Sequence, residues 1–389
     1  MKIVFVSNAL DHIQMPLCDE FFKQTKGEFY YVATSQTSEI RSNITSADIN
    51  KTKSYVIRPY EDESQQKFAQ RVIDEADAVI LGTASEKYII SRIKKHKLTF
   101  RYMERLYKTP FSIQNTVHRF LSAILHHSRF QKYPLYVLCA GAYAAYDHDI
   151  MKNYRNKRYV WGYFPAFTEN NFDKMLAKKR ENNIVEIIWV GRFVELKHPE
   201  QVIQLAEYLK SKNILFHINM IGYGELLEKC RTMVSDKKLI EVDILGSKNP
   251  EEVREYMDKA NILLFTSDRE EGWGAVVNEG MNSVCAVVAS AAAGVSPYLV
   301  SDGENGFLYD CKSQESFNKK VERLIVDTEE RERLARNGYK TVQELWNPQN
   351  AVSSFIKLTS SILLNTDNPI KSGPCSAARV IKDGWYKDE

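Results

Sequence analysis

From position 184 onward, short β-branched runs alternate with stretches that carry a single apolar stripe, and few folds accommodate that rhythm. The runs cover 184–190, 216–221, 242–245, 262–266 and 286–289; helical patterns fall at 199–210, 225–234, 251–259 and 275–282. Each run is too short and too apolar for a surface hairpin. In the first helical pattern Val202, Ile203, Leu205, Ala206 and Leu209 share one side at i, i+3, i+4, i+7 spacing. Such alternation predicts a parallel sheet covered by helices on both faces. Pro199 and Pro250 fall where a first helical turn tolerates proline.

The first half repeats the pattern more loosely, with strands expected at 3–6, 29–33, 55–57, 78–81, 98–102, 135–138 and 159–161 and a helix at 65–75. The 168–183 stretch, with TENN and KKRENN, is polar and reads as a linker. After Leu345 come WNPQ, an apolar-periodic helix at 351–364 and a polar tail. The 389 residues suit two domains of roughly 150–200 residues. The expected division is an N-terminal domain at 1–167, a linker at 168–183, a second domain at 184–346, and a segment at 347–389 that packs back on the first domain.

Apolar residues at 44% and charged residues at 26% exclude wholesale disorder, and a net charge of +3 is too small for a general nucleic-acid binder. Six scattered cysteines with no CxxC argue against a zinc cluster and for reduced thiols. The apolar run at 1–7 is soon broken by Asp11 and His12, unlike a secretion signal, and no stretch nears the ~18 apolar residues of a membrane span. The expectation is a cytoplasmic protein, soluble or peripheral on the inner face of the cell membrane.

Open parallel sheets bind ligands at the carboxyl ends of their strands, so the loops there are the place to look. GRFVELK follows the 184–190 run and puts Gly191, Arg192 and Lys197 at one strand end. Two cations suit a diphosphate, Arg as a fork and Lys as a point charge, although solvated charges flanking a helix start give the same pattern. IGYGE supplies Gly222 and Gly224, whose flexibility lets backbone approach a flat or charged ligand. The third glycine of a dinucleotide fingerprint is absent, Leu227 standing there. In TSDREEGWGAVVNEGMNS, Gly272, Trp273 and Gly274 open a helix whose first amides are free to meet an anion. Glu271 and Glu279 flank that opening, where carboxylates accept from sugar hydroxyls.

EGWGAVVNE resembles the E-x7-E signature of glycosyltransferase family four, retaining enzymes of the GT-B fold, and VGRFVELK resembles that family's phosphate-binding segment. MIGYGE, ILGSKNPEEV and VVASAAAGVSPYLVSDGENGFLY match its second domain in order. The resemblance implies two Rossmann-like domains whose parallel sheets face a central cleft. It also implies transfer of a sugar from a nucleotide-sugar, UDP- or GDP-linked, with no cofactor and no metal. By position, Arg192 and Lys197 would hold the donor diphosphate and Glu271 the transferred sugar. Trp273 and Gly274 would offer amides, and Glu279 would bind the ribose. Leu196 and AAAGVSP depart from the family's pattern. A GT-B phosphorylase, an epimerase and a non-catalytic sugar-nucleotide binder stay open beside the transferase.

The first half offers acceptor-side candidates. His12 and Gln14, in the loop after the first strand, suit a phosphate, the acceptor or a helix cap. Glu104, at the end of the fifth strand, suits a catalytic role or an ion pair with Arg101 or Arg105. Asp147-His148-Asp149 reads as a surface loop rather than a metal site. Residues 87–132 hold eleven Lys/Arg and one acid, interleaved with Tyr88, Ile89, Tyr102, Phe120, Leu121, Leu125 and Phe130. That composition suits an anionic membrane surface, with Lys94, Lys95 and Lys97 facing lipid or a lipid-linked glycan acceptor. A solvated basic face gives the same composition, and no nucleic-acid motif accompanies it.

Overall fold

The computed structural model describes residues 1–36, 49–108 and 113–387. The chain divides into two compact units, residues 1–166 with 347–381, and residues 167–346 with 382–389.

The first unit is built on seven strands: β1 (Ile3–Ser7), β2 (Phe29–Ala33), β3 (Val56–Ile57), β4 (Ala78–Leu81), β5 (Thr99–Met103), β6 (Leu135–Ala140) and β7 (Arg158–Trp161). They lie in the order β3-β2-β1-β4-β5-β6-β7, every pair parallel, with Val4 opposite Tyr30 on one side and Val79 on the other. β1 and β4 are buried along their whole length, as strands covered on both faces must be. The helix Glu63–Glu75 starts where Asp62 accepts a hydrogen bond from the Gln65 N–H at 2.8 Å, and it sends Ala69, Val72 and Ile73 into the core.

Residues 347–381 complete this unit. Asn347 caps the helix Pro348–Leu363 by accepting from the Asn350 N–H at 2.8 Å. Phe355 of that helix is fully buried against Phe21, Phe100 and Trp161, with ring centroids 5.5, 4.9 and 6.0 Å away. The tail then runs antiparallel to β7. The Cys375 N–H donates to Val160 O at 2.7 Å and the Val160 N–H to Ser376 O at 2.8 Å.

The second unit has six parallel strands: β8 (Val185–Val190), β9 (Phe216–Ile221), β10 (Val242–Gly246), β11 (Ile262–Phe265), β12 (Ala286–Ser290) and β13 (Phe307–Tyr309). Their order is β10-β9-β8-β11-β12-β13. Helix Pro199–Ser211 buries Val202, Ile203, Leu205, Ala206 and Leu209, the stripe that its spacing predicts. Helix Pro250–Lys259 opens with a reciprocal cap between Asn249 and Glu252. Two further helices, Gln314–Val326 and Thr328–Glu344, lie beyond the reach of the strand–helix reading, as does the three-residue β13.

One stretch differs from its sequence reading. The 168–183 segment is not a bare linker: it holds the helix Phe172–Arg180, capped by Asn171, within the second unit. The Lys179 side chain turns inward, and its ammonium meets Ser283 O at 2.6 Å, Val284 O at 2.9 Å and Ala260 O. Three carbonyls compensate the buried charge of Lys179, while Lys174, Lys178 and Arg180 stay exposed.

Candidate active site

Both sheets reverse their order at one point, between β1 and β4 in the first unit and between β8 and β11 in the second. Crossovers leave the sheet in opposite directions there, so the strand-end loops part and open a crevice. In the second unit the loops that flank it are GRFVELK after β8 and TSDREEGWG after β11.

These two loops are cross-braced. The Trp189 indole N–H donates to Thr266 Oγ1 at 2.9 Å, and the Thr266 hydroxyl donates to Lys197 O at 2.5 Å. The Asp268 N–H donates to Leu196 O at 2.9 Å. His198 stands between Asp268 and Glu200, 3.1 Å from each, and those two carboxylates hold its pKa up at about 9. Lys197 forms an ion pair with Glu271 and lies 5.6 Å over the Phe265 ring. Arg192 is exposed, and its guanidinium has no hydrogen bond or ion pair among the described residues.

The IGYGE glycines serve packing rather than open access. A Cβ on Gly222 (φ +149°) would lie 1.8 Å from Gly191 O, and one on Gly224 (φ +147°) 2.4 Å from Phe193 O. The Phe193 N–H donates to Tyr223 O at 2.7 Å. Gly191, Gly222 and Gly224 thus let the β8 and β9 loops lie one on the other. Around Gly272 and Gly274 the backbone is differently placed. Trp273 is buried, its indole N–H donates to Asn278 Oδ1 at 3.0 Å, and the amides of Gly272 and Gly274 have no acceptor among the described residues. Glu279 lies in the helix Val276–Asn282, and no hydrogen bond to its carboxyl is present among the described residues. Burial raises that carboxyl to about 7, against the opposing pull of Arg254.

In the first unit the carboxyl ends of β4 and β5 border a cavity of about 510 Å³, lined by Leu81–Ala84, Glu86, Arg101–Leu106 and Tyr163. Glu104 lines it and accepts from Tyr163 OH at 2.8 Å, with Lys108 at 3.7 Å. Its expected partners are engaged elsewhere, Arg101 with Glu86 at 2.9 Å and Arg105 with Asp147 at 3.6 Å. Both partners lie on other elements, Glu86 at the start of the helix Lys87–Lys94 and Asp147 in the helix Ala144–Ile150. His12 is exposed, and the cap in its turn comes from Asp11, which accepts from the Gln14 N–H at 2.9 Å. Gln14 accepts instead from Tyr31 OH at 3.0 Å.

Asp147-His148-Asp149 is not a surface loop. It belongs to the helix Ala144–Ile150, where Asp147 is 1% exposed and accepts from the Leu106 and Tyr107 N–H groups at 2.7 and 2.9 Å. His148 is fully buried, and desolvation holds its pKa far below the usual imidazole range. Of the three lysines read as lipid-facing, Lys94 and Lys95 are exposed, whereas Lys97 donates to Asp74 O and is partly buried. Lys95 lies 3.8 Å from Asp74. Arg92 has turned wholly inward to four carbonyls, those of Ile73, Ala76, Asp77 and Leu98. Tyr163 and Glu86 escape the sequence reading, because only the sheet brings them to Glu104 and Arg101.

Residues 169–341 match the family described as Glycosyl transferases group 1. The uncharacterized glycosyltransferase MJ1178 of Methanocaldococcus jannaschii is 33% identical over 151 residues, 39% of this chain and 41% of that one. The amylovoran biosynthesis glycosyltransferase AmsK of Erwinia amylovora is 32% identical over 130 residues, 32% of each chain. The chain spans less than half the length of these curated relatives. The crystal structure of Anabaena Alr3699/HepE in complex with UDP superposes with a TM-score of 0.67 at 15% identity, over 93% of this chain and 100% of that one. The likeness to HepE is one of fold, that of the two Rossmann-like units of GT-B glycosyltransferases. The stretch that matches the glycosyl transferases group 1 family lies wholly within the second unit.

Proposed function

We propose that the protein is a retaining, metal-independent hexosyltransferase of the family-four kind. It would move a sugar from a UDP- or GDP-sugar to a glycan on a lipid carrier during surface polysaccharide synthesis. The observation that carries this reading is the meeting of Lys197 with Glu271 at the switch point of the second sheet, with Arg192 in the same loop and its guanidinium without a partner among the described residues. Arg192 and Lys197 stabilise charge as it develops on the leaving diphosphate, a fixed electrostatic role of the oxyanion-hole kind. Amides at Trp273 and Gly274 add to it. Glu271 accepts from hydroxyls of the transferred sugar, Glu279 from the ribose, and Glu104 or His12 serves the acceptor. AmsK, an amylovoran biosynthesis glycosyltransferase, and HepE, solved in complex with UDP, support a sugar transferase with a UDP-linked donor.

The test is a screen of UDP- and GDP-sugars for release of nucleoside diphosphate, with and without EDTA. The expected result is slow hydrolysis of one donor, unaffected by chelator. Complete inhibition by EDTA that added metal reverses would refute metal independence. Turnover that requires inorganic phosphate would make the protein a phosphorylase, and sugar interconversion without diphosphate release an epimerase. Nucleotide binding with no turnover of any kind would leave a non-catalytic binder.

A further inference from the structure

Residue 382 begins a third passage of the chain from one unit to the other. Residues 375–378 run along β7, where the Ala378 N–H donates to Arg158 O at 3.0 Å, but residues from 382 onward belong to the second unit. Lys382–Trp385 are exposed and bury little apolar area, so specific polar contacts have to offset the entropy lost in ordering them.

Two contacts do so. The Arg269 guanidinium donates to Asp383 Oδ2 at 2.7 Å. Three residues on, the Tyr386 hydroxyl lies 2.7 Å from both Asp302 Oδ2 and Leu308 O and accepts from Lys320 Nζ at 2.6 Å. Gly384, at φ +70°, turns the chain between the two. The Tyr386 contact is made on rigid ground. Asp302 Oδ1 accepts from the Leu308 N–H of β13 at 2.7 Å, and Lys320 rises from the helix Gln314–Val326.

The Asp383 contact is made on the loop after β11. Arg269 stands in a turn where the Glu270 N–H donates to Asp268 Oδ1 at 2.8 Å and the Glu271 N–H to Asp268 O at 3.2 Å. Asp268 is held by His198 and by the Leu196 carbonyl, and Arg269 by Asp383. The turn ends at Glu271, the partner of Lys197. An isolated exposed ion pair contributes little. Here Tyr386 fixes the chain three residues away, so Asp383 meets Arg269 at a high effective concentration.

We infer that residues 382–387 form a strap that positions the 268–271 turn, and with it Glu271, for the transferred sugar. Asp383 and Tyr386 are positioning residues that act through Arg269 and β13. The inference rests on the reading of Glu271 as a donor-site residue.

Donor hydrolysis, compared with nucleoside diphosphate affinity, tests the strap in the full chain, in Asp383→Ala and in a chain ending at Ile381. Turnover should fall about fivefold in Asp383→Ala and about tenfold or more in the shortened chain, because a displaced Glu271 is badly aimed at the sugar. Affinity for the nucleoside diphosphate should stay within about twofold, and the melting temperature of Asp383→Ala within about 2 °C, as for a surface pair. The charge swap Arg269→Asp/Asp383→Arg should recover at least half of what either single variant loses. Hydrogen exchange gives a readout apart from activity: amides of 268–273 should exchange about tenfold faster in the shortened chain, and those of β12 at the parent rate. Unchanged exchange in that turn, unchanged turnover in the shortened chain, a loss of nucleotide affinity equal to the loss of turnover, or a swap no better than its worse single variant would each overturn the inference. If the parent hydrolyses no donor, the transferase reading falls, and the exchange rates alone then decide for or against the strap.

Discussion

The two sheets share one strand order around the switch point, yet their crevices are built in opposite ways. In the second unit the loops after β8 and β11 are tied by Trp189, Thr266, Asp268 and His198, and the β9 loop is pressed onto them through Gly222 and Gly224. In the first unit the ends of β4 and β5 leave an open cavity, and its charged residues pair at the rim: Glu86 with Arg101, Glu104 with Tyr163 and Lys108. On the proposed reading, a site for the donor diphosphate gains from braced loops, because preorganised charge costs no reorganisation during reaction. A site for a variable acceptor needs room and exchangeable polar contacts.

The sharpest test of that contrast lies with the cations. Arg192→Ala and Lys197→Ala should each lower turnover by about 10²–10³-fold, or about 2.7–4 kcal/mol in the transition state. Their stabilities should part company. Arg192→Ala removes nothing that holds the fold, whereas Lys197→Ala strips Glu271 of its counter-charge and should lower the melting temperature as well. Equal melting temperatures in scanning calorimetry would mean that the Lys197–Glu271 pair does not brace the loop.

A middling effect is expected in the open crevice. Glu104→Gln should lower transfer by about 10²-fold if the carboxylate acts as a base, while leaving affinity for the nucleoside diphosphate unchanged. Glu271→Ala should lower turnover more than nucleotide affinity, and Glu279→Ala the reverse. Isothermal calorimetry with the nucleoside diphosphate alone separates them. A loss of affinity in Glu104→Gln as large as that in Glu279→Ala would erase the functional division between the two units.

The smallest effect is a pH dependence inside the braced site. The Glu279 carboxyl stands at about 7, above its ordinary 4.5, because burial disfavours the charge. Its contribution to stability is therefore fully present below the unfolded value and is lost as pH rises through about 7. The residue as a whole is only half-buried, so the loss should be about 1–2 kcal/mol rather than the full value of the shift. Denaturant melts at pH 5 and pH 8 should show this fall, and Glu279→Gln should flatten it. A fall of the same size in Glu279→Gln would assign the dependence to another group.

β11 and β12 could be read from their short apolar runs because burial on both faces leaves no polar alternation to confuse them, whereas β9 alternates, with His217 and Asn219 at its less buried positions. β13 escaped because three residues carry no period. Lys179 escaped because a lysine's composition says nothing about carbonyls supplied by residues 81 and 104 positions away. The residues proposed for the donor could be singled out in the sequence because both loops keep their chemistry local, Arg192 within five residues of Lys197 and Glu271 within eight of Glu279. The brace between them was not. Trp189, Thr266 and Lys197 meet only after two strands have paired in parallel, and parallel pairing requires a long crossover. The same reasoning explains Glu104, whose neighbours Arg101 and Arg105 each found a carboxylate on another element.

The helix Pro348–Leu363 has a consequence for how the chain is made. Synthesis runs from the N-terminus, and domains generally fold as they emerge. When residues 1–166 have left the ribosome, Phe21, Phe100 and Trp161 still lack Phe355, and β7 lacks the Cys375–Ser376 edge. Residues 167–346 of the second unit emerge before those pieces exist, and only its 382–389 segment, where Tyr386 donates to Leu308 O at 2.7 Å, comes after them. The half that is translated first thus waits with an aromatic face uncovered for some 180 residues of further elongation.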